Sequence, residues 1–159
     1  MTSEEGKGSV FSFAVTLPTG VEPPASPQPS AGSSTLLGRL LVVEDDRVNQ
    51  RVVELLLRNL GLSAVIVADG ASAVDAALSG SWDAVLMDCQ MSGMDGFEAT
   101  RRIRVGLNGR RLPIIALTAN AMEGDRKKCI AAGMDDFIAK PVRKADLHAC
   151  LERWISRGP

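Results

Sequence analysis

Leu41-Val42-Val43-Glu44-Asp45-Asp46 is an apolar run that stops at three consecutive acids. The same arrangement recurs three times along the chain. An apolar run ends at an acid in residues 84–88, at a hydroxyl in residues 114–118 and at an ammonium in residues 137–140. Short runs rich in valine and isoleucine, bounded by turn residues, are typical of strands buried on both faces. The four segments therefore predict strands of a parallel sheet.

Helical patterns alternate with these strands. Apolar residues at helical spacing predict a first helix that stops at Gly61, and they are Val48, Val52, Leu55, Leu56 and Leu60. The pattern further predicts a strand at 64–67, helices at 71–78 and 124–132, a helix from the Gly-rich loop at 92–96 to about residue 104, and a final helix marked by Leu147, Leu151, Trp154 and Ile155. This alternation predicts an α/β, flavodoxin-like doubly wound (βα)5 fold with a parallel sheet in the order 2-1-3-4-5.

The charged strand ends predict a site for a hard cation and a phosphoryl group. In an open parallel sheet, ligands bind beyond the carboxyl ends of the strands, so these side chains are expected to share one rim. Carboxylates suit Mg²⁺, and we expect Asp45 and Asp88 to bind it directly, with Glu44 nearby or acting through water and the backbone carbonyl of Gln90 adding an oxygen.

The same rim contains the groups that phosphoryl transfer requires. A carboxylate can act as the nucleophile and become an aspartyl phosphate, and Asp88 is best placed for that role. Lys140 and Thr118 would then stabilise oxygens of the transferring group. Each residue alone also has an ordinary structural explanation, since Asp46 can simply cap the first helix, Thr118 can end a turn and Lys140 can be solvated.

Composition excludes several classes of protein. The 159 residues are 45% hydrophobic and 23% charged, with a formal net charge of −1, which gives no electrostatic reason to expect a nucleic-acid partner. No apolar stretch approaches the length of a membrane span, and we expect no direct membrane contact and a cytoplasmic location. Cys89, Cys129 and Cys150 have neither disulfide nor metal-ligand spacing, so they are expected to be reduced thiols.

The N-terminal third differs from the rest of the chain. Residues 18–37 are rich in Pro, Ser, Gly and Ala, and they are predicted to be a linker. Before it, residues 8–17 form one strand pattern with no evident partner, so residues 1–17 are either disordered or a remnant of a preceding domain. The compact domain is expected over residues 38–159.

Residues 38–159 resemble the receiver domain of two-component response regulators. The resemblance rests on residues 41–45, on Met87-Asp88-Cys89-Gln90-Met91-Ser92-Gly93-Met94-Asp95-Gly96, on Leu117-Thr118-Ala119 and on Lys140-Pro141. It implies that Asp88 accepts phosphate from a phosphohistidine, that Glu44, Asp45 and Asp88 bind Mg²⁺, and that Thr118 and Lys140 contact the phosphoryl group. It also implies a cis peptide bond between Lys140 and Pro141.

Two positions bear on how such a domain would work. Ser92 stands where the family usually has proline. Serine has the backbone N–H that proline lacks, and its φ angle is not fixed by a ring. Phe137 occupies the position of the family's aromatic switch residue and is expected to act with Thr118, although a plain core aromatic is an equally good explanation.

Further features resemble the receivers of hybrid sensor histidine kinases. These are the Val48-Asn49-Gln50 segment, Cys89-Gln90 and Thr118-Ala119-Asn120-Ala121, with Gln90 and Asn120 expected to flank the site. Residues 6–18 resemble the closing strand of a kinase ATP-binding domain, but its other nucleotide-binding motifs are missing, so we expect no ATP binding. The implied partners are a kinase phosphohistidine domain, a histidine phosphotransfer protein, or both. Because the chain ends soon after the last predicted helix, no output domain is expected.

Two other functions remain possible from the sequence. A phosphatase with an aspartate nucleophile would need a second Asp two residues later, where Gln90 stands. An interaction-only pseudoreceiver would lack some of the site groups. All five are present in this sequence: Glu44, Asp45, Asp88, Thr118 and Lys140.

Overall fold

The computed structural model describes residues 2–4, 8–10, 36–119 and 123–155, which fall into two units. In the N-terminal unit, β1 (Thr2–Glu4) pairs antiparallel with β2 (Gly8–Val10), with Thr2 opposite Val10. The expectation that the strand after residue 8 lacks a partner was therefore wrong, because its partner is a segment with no apolar pattern in the sequence. Residues 11–17 of the predicted strand lie outside the described residues.

The second unit alternates strands and helices without interruption. Its elements are β3 (Arg39–Val43), α1 (Arg47–Arg58), β4 (Ser63–Val67), α2 (Gly70–Ser79), β5 (Ala84–Asp88), α3 (Gly96–Leu107), β6 (Ile114–Thr118), α4 (Glu123–Ala132), β7 (Asp136–Ala139) and α5 (Lys144–Ile155). The five strands are parallel in the order β4-β3-β5-β6-β7, which is the predicted order 2-1-3-4-5 when this sheet is counted alone. The predicted fold is confirmed.

Alternate residues of the central strands fill two hydrophobic cores. One core lies between the sheet and α1 and α5, where Leu40, Val42 and Leu86 pack with Leu57 and Leu151. The other lies between the opposite face and α2, α3 and α4, and includes Leu41, Val85 and Met87. Each fully buried side chain of this size contributes about 1.5–3 kcal/mol by leaving water. The two cores explain why the strands are apolar throughout rather than alternating.

Leu36 belongs to the first of these cores. Its side chain is 5% exposed and packs among buried residues of that core, although the linker was predicted to run to residue 37. The compact domain therefore includes at least two residues before the predicted start at 38. A single leucine beside a Pro- and Ser-rich segment gives no periodic signal, so composition placed the boundary too late.

The apolar residues predicted for α1 and the turn after it divide between two faces. Leu60 is buried and Leu56 packs against the core, together with Val53 and Leu57, which the prediction did not include. Val48, Val52 and Leu55 are 70%, 43% and 42% exposed. The helix has two apolar stripes at similar spacing, and the sequence does not show which one faces the sheet. One stripe therefore remains on the surface. No helix in the described ranges is long and apolar enough to cross a membrane.

Candidate functional site

The ends of β3 and β5 bring three acids together. The two strands are adjacent and parallel, with Val43 beside Met87, so Glu44 and Asp88 leave the sheet side by side. Ligand oxygens of Glu44, Asp45 and Asp88 all lie within 4.8 Å of one another. Glu44 and Asp88 are buried while Asp45 is exposed. The third acid of the run, Asp46, caps α1 by accepting hydrogen bonds from Val48 N and Asn49 N, both at 2.9 Å.

Lys140 joins two of these carboxylates. Its Nζ lies 2.7 Å from Glu44 Oε2 and 2.7 Å from Asp88 Oδ2, directly after β7 ends. Burial disfavours the charged ammonium, but hydrogen bonds and charges from Asp88 and Glu44 outweigh it and raise the pKa of Lys140. A positive charge is therefore held at the phosphoryl position that the sequence predicts. The Lys140-Pro141 bond is cis, as predicted.

Glu44 is held in place by the first turn of α1. Asn49 Nδ2 donates to Glu44 Oε1 at 3.0 Å, and Gln50 Nε2 donates to the Glu44 carbonyl at 2.6 Å. A buried carboxylate requires such donors, because it has lost its hydration. The sequence analysis noted Asn49 and Gln50 only as part of a resemblance. Two amide side chains directly after a helix cap next to a strand-end acid are the signal that could have identified them.

Asp88 is supported by its own backbone surroundings. Its Oδ1 accepts a hydrogen bond of 3.1 Å from Gln90 N. Gly96 begins α3 directly beside it, and a Cβ at position 96 would overlap the backbone carbonyl oxygen of Asp88. The Gln90 N–H therefore supports the carboxylate, while the role predicted for the Gln90 carbonyl stays a prediction. Asn120 lies outside the described residues.

Thr118 lies on β6, the strand next to that of Asp88, and Phe137 lies on β7, one strand further out. Thr118 is buried at the end of β6, and its carbonyl accepts a 2.7 Å hydrogen bond from Lys140 N. This backbone hydrogen bond holds the ends of β6 and β7 side by side, and these ends carry the Thr118 hydroxyl and the Lys140 ammonium. The Phe137 ring is partly buried against the α2–α4 core, and the guanidinium of Arg126 on α4 lies 5.8 Å from the ring centroid.

Asp45 has a contact that the sequence analysis did not anticipate. The backbone N–H of Ser92, in the loop between β5 and α3, donates to Asp45 Oδ2 at 3.2 Å. The residue that departs from the family pattern is thus bonded to one of the clustered acids.

Cys89 is buried away from this rim. It packs in the α2–α4 core, and its Sγ lies 3.9 Å from the Sγ of Cys129. Burial raises the pKa of both thiols. All three cysteines are free and buried.

The donor set fits a hard divalent cation. Three carboxylates supply only oxygen ligands, which is the chemistry that Mg²⁺ prefers, and one of them is open to solvent. Lys140 offsets charge on two of the three, so the cluster retains net negative charge for a cation.

Comparisons with known proteins agree with this geometry. The response regulator receiver domain family matches residues 40–152. The hybrid signal transduction histidine kinase L of Dictyostelium discoideum is 38% identical to this chain over 131 residues. The matched region is 79% of this chain but only 8% of the length of that relative.

Two solved structures are similar in sequence and fold. The receiver domain of the sensor histidine kinase PA1611 from Pseudomonas aeruginosa, with a magnesium ion in its active-site cleft, is 53% identical with a TM-score of 0.70, covering 75% of this chain and 98% of that one. The receiver domain of Ssk1 from Saccharomyces cerevisiae, crystallised with the histidine phosphotransfer protein Ypd1, is 27% identical with a TM-score of 0.71, covering 77% of this chain and 91% of that one.

The doubly wound sheet, the acidic cluster with a lysine at its carboxyl edge and the family match over residues 40–152 together identify a receiver domain. The chain belongs to the response regulator receiver domain family, and its curated relatives include hybrid histidine kinases.

Proposed function

We propose that Asp88 of this receiver accepts a phosphoryl group from a partner phosphohistidine in the presence of Mg²⁺. The observation that carries the proposal is the pair of 2.7 Å contacts from Lys140 Nζ to Asp88 and Glu44. They place a cation at the carboxylate that becomes the nucleophile. Lys140 is half-buried, with 21% of its side chain exposed, so this cation both pairs with the acids and remains accessible to a phosphoryl group.

The roles of the site residues follow from their positions. An Asp88 oxygen attacks phosphorus, the bond between phosphorus and the histidine nitrogen breaks, and its electron pair stays on the imidazole, which takes up a proton from solvent. Glu44, Asp45 and Asp88 would hold Mg²⁺, with the Gln90 carbonyl as a further ligand. When bound, Mg²⁺ supplies positive charge to the phosphoryl oxygens. Lys140 and Thr118 contact those oxygens. These contacts matter because positioning and charge neutralisation account for most of the catalysis of phosphoryl transfer.

Phosphorylation is proposed to change the surface formed by β6, β7 and α4. The added charge draws the Thr118 hydroxyl toward Asp88, which Lys140 already contacts, and the buried position of Thr118 limits where its side chain can go. Phe137 is proposed to follow by turning inward and leaving Arg126. Spectra of the Phe137 ring with and without a bound phosphoryl analogue test this switch, and an unchanged ring environment would contradict it.

The partner is proposed to be a helical phosphohistidine domain that docks on α1. Val48, Val52 and Leu55 form an exposed apolar stripe on this helix, and Asn49 on the same helix contacts Glu44. The stripe therefore lies next to the acidic rim, where a helix carrying a phosphohistidine could pack. Ypd1, the partner of Ssk1, is a protein of this functional kind.

The domain organisation is also a proposal. Residues 1–17 are proposed to be the last strand of a histidine-kinase ATP-binding domain, and the predicted linker from residue 18 is proposed to lead to the receiver and to end before the buried Leu36. The pairing of Gly8–Val10 with another strand supports a β-structure there. The parent protein would then be a hybrid kinase, and the receiver would work in the cytoplasm.

Transfer from a phosphorylated histidine phosphotransfer protein tests both site and surface. Wild type should take up the phosphoryl group, Asp88→Asn should not, and Val52→Glu should slow uptake from the protein donor only. A small-molecule donor should phosphorylate Val52→Glu as well as wild type. Equal uptake by Asp88→Asn would contradict the proposed function, and uptake by Val52→Glu at the wild-type rate would contradict docking on α1.

A further inference from the structure

The three clustered acids are not supported equally. Glu44 and Asp88 are buried, and each contacts Lys140 Nζ at 2.7 Å. Asp45 is exposed, and its described hydrogen bond is the one from Ser92 N at 3.2 Å. Two of the acids are therefore held by a cation, and the third by a neutral backbone donor.

That donor opposes the repulsion between Asp45 and the other two acids. An Asp45 oxygen lies within 4.8 Å of two other carboxylate oxygens, and like charges at this distance repel each other. An exposed aspartate relieves that repulsion by rotating into water, where its rotamers are free. The hydrogen bond from Ser92 opposes this rotation, and it links the loop after β3 to the loop after β5 across 47 residues of sequence.

We propose that Ser92 is a positioning residue, whose backbone N–H holds the Asp45 carboxylate in place to receive Mg²⁺. This inference deepens the proposed function and rests on the metal site assigned there. The position is where the family usually has proline, which has no N–H to donate. This receiver therefore prepares its exposed metal ligand by a contact that the usual residue does not provide.

Two substitutions at Ser92 separate the N–H from the side chain. Ser92→Ala keeps the N–H and removes only the hydroxyl, whereas Ser92→Pro removes the N–H. Mg²⁺ affinity is measured by titrating the amide NMR signals of residues after β3 and β5, with thermal unfolding to verify that each variant folds. We expect Ser92→Ala to bind like wild type and Ser92→Pro to bind about two- to tenfold more weakly, which is the effect of one ordinary hydrogen bond.

A double-mutant cycle shows whether the effect passes through Asp45. In an Asp45→Ala background there is no carboxylate to hold, so Ser92→Pro should not weaken Mg²⁺ binding further. A loss of the same size in that background would assign the effect to loop structure and overturn the inference. Wild-type affinity in Ser92→Pro would also overturn it. A wild-type protein that binds no Mg²⁺ would instead refute the proposed function itself, and the inference with it.

Discussion

Gly96 lies against the backbone carbonyl of Asp88, so no larger residue fits at position 96. A Cβ built on Gly96 would overlap that oxygen and approach Met87 Cγ at 3.0 Å. The amide of Gly96 also donates to the carbonyl of Cys89 at 3.4 Å. The start of α3 therefore fixes the backbone of the proposed phosphoacceptor, and a side chain at position 96 would displace Asp88 itself.

Gly96→Ala is expected to slow phosphorylation of Asp88 and to destabilise the fold by about 1–3 kcal/mol, the usual cost of overpacking. Gly124→Ala is the matched control, because a Cβ there meets no atom within 4 Å. It should leave phosphorylation unchanged and add up to about 1 kcal/mol of stability through helix propensity. Urea unfolding and phosphorylation kinetics measure both. Equal effects of the two substitutions would refute the close approach.

Asn49→Ala should weaken Mg²⁺ binding by removing the donor to Glu44 Oε1. Leaving a buried carboxylate oxygen without this donor is expected to destabilise the domain by about 1–3 kcal/mol. Arg51→Ala serves as the control on the same helix, because its ion pair with Glu54 joins side chains that are 64% and 45% exposed. Such pairs contribute little to stability. Wild-type Mg²⁺ affinity in Asn49→Ala would show that Glu44 is held by other contacts.

Asp136 should give a pH-dependent contribution to stability. Burial opposes its ionisation, but hydrogen bonds from Arg153 and Trp154 outweigh it and hold the pKa of Asp136 below its ordinary value of 3.8. A lowered pKa in the folded state stabilises the protein above that ordinary value, and the contribution is lost as the pH falls through the folded-state pKa.

Asp136→Asn is therefore expected to lower the free energy of unfolding by about 1–2 kcal/mol at pH 7. The difference from wild type should shrink as the pH falls below the ordinary value of 3.8. Urea unfolding across the acid range measures it, with Asp75→Asn on the exposed side of α2 as a control. A difference that stays constant with pH would contradict the charge-assisted network.

The sequence predicted which charged strand ends lie close together better than it predicted helix packing. Four strand ends carried chemically distinct groups in chain order, and parallel topology sends such ends to one edge, so Glu44, Asp88 and Lys140 could be placed together without coordinates. Helix faces were harder. On α1 the stripe of Val48, Val52 and Leu55 has the same spacing as the buried residues, and only the sheet's position decides between them.

Contacts made by the backbone were not predictable at all. The Ser92 amide reaches Asp45 only because two loops, distant in sequence, meet above the sheet. Pairing of Thr2–Glu4 with Gly8–Val10 likewise depends on main-chain groups that every residue carries. Side-chain identity gives no signal for either contact. Only a proline, which has no N–H, would have shown in the sequence that a backbone donor was missing.

The central claim is that Asp88 is the phosphoacceptor, and mapping the phosphoryl group tests it most directly. The protein is incubated with an acyl phosphate and Mg²⁺, reduced with borohydride to convert aspartyl phosphate to homoserine, and digested for mass spectrometry. We expect homoserine at position 88 in wild type and in the helix-cap control Asp46→Asn, with none in Asp88→Asn or without Mg²⁺. Labelling of another residue, or equal labelling of Asp88→Asn, would contradict the account.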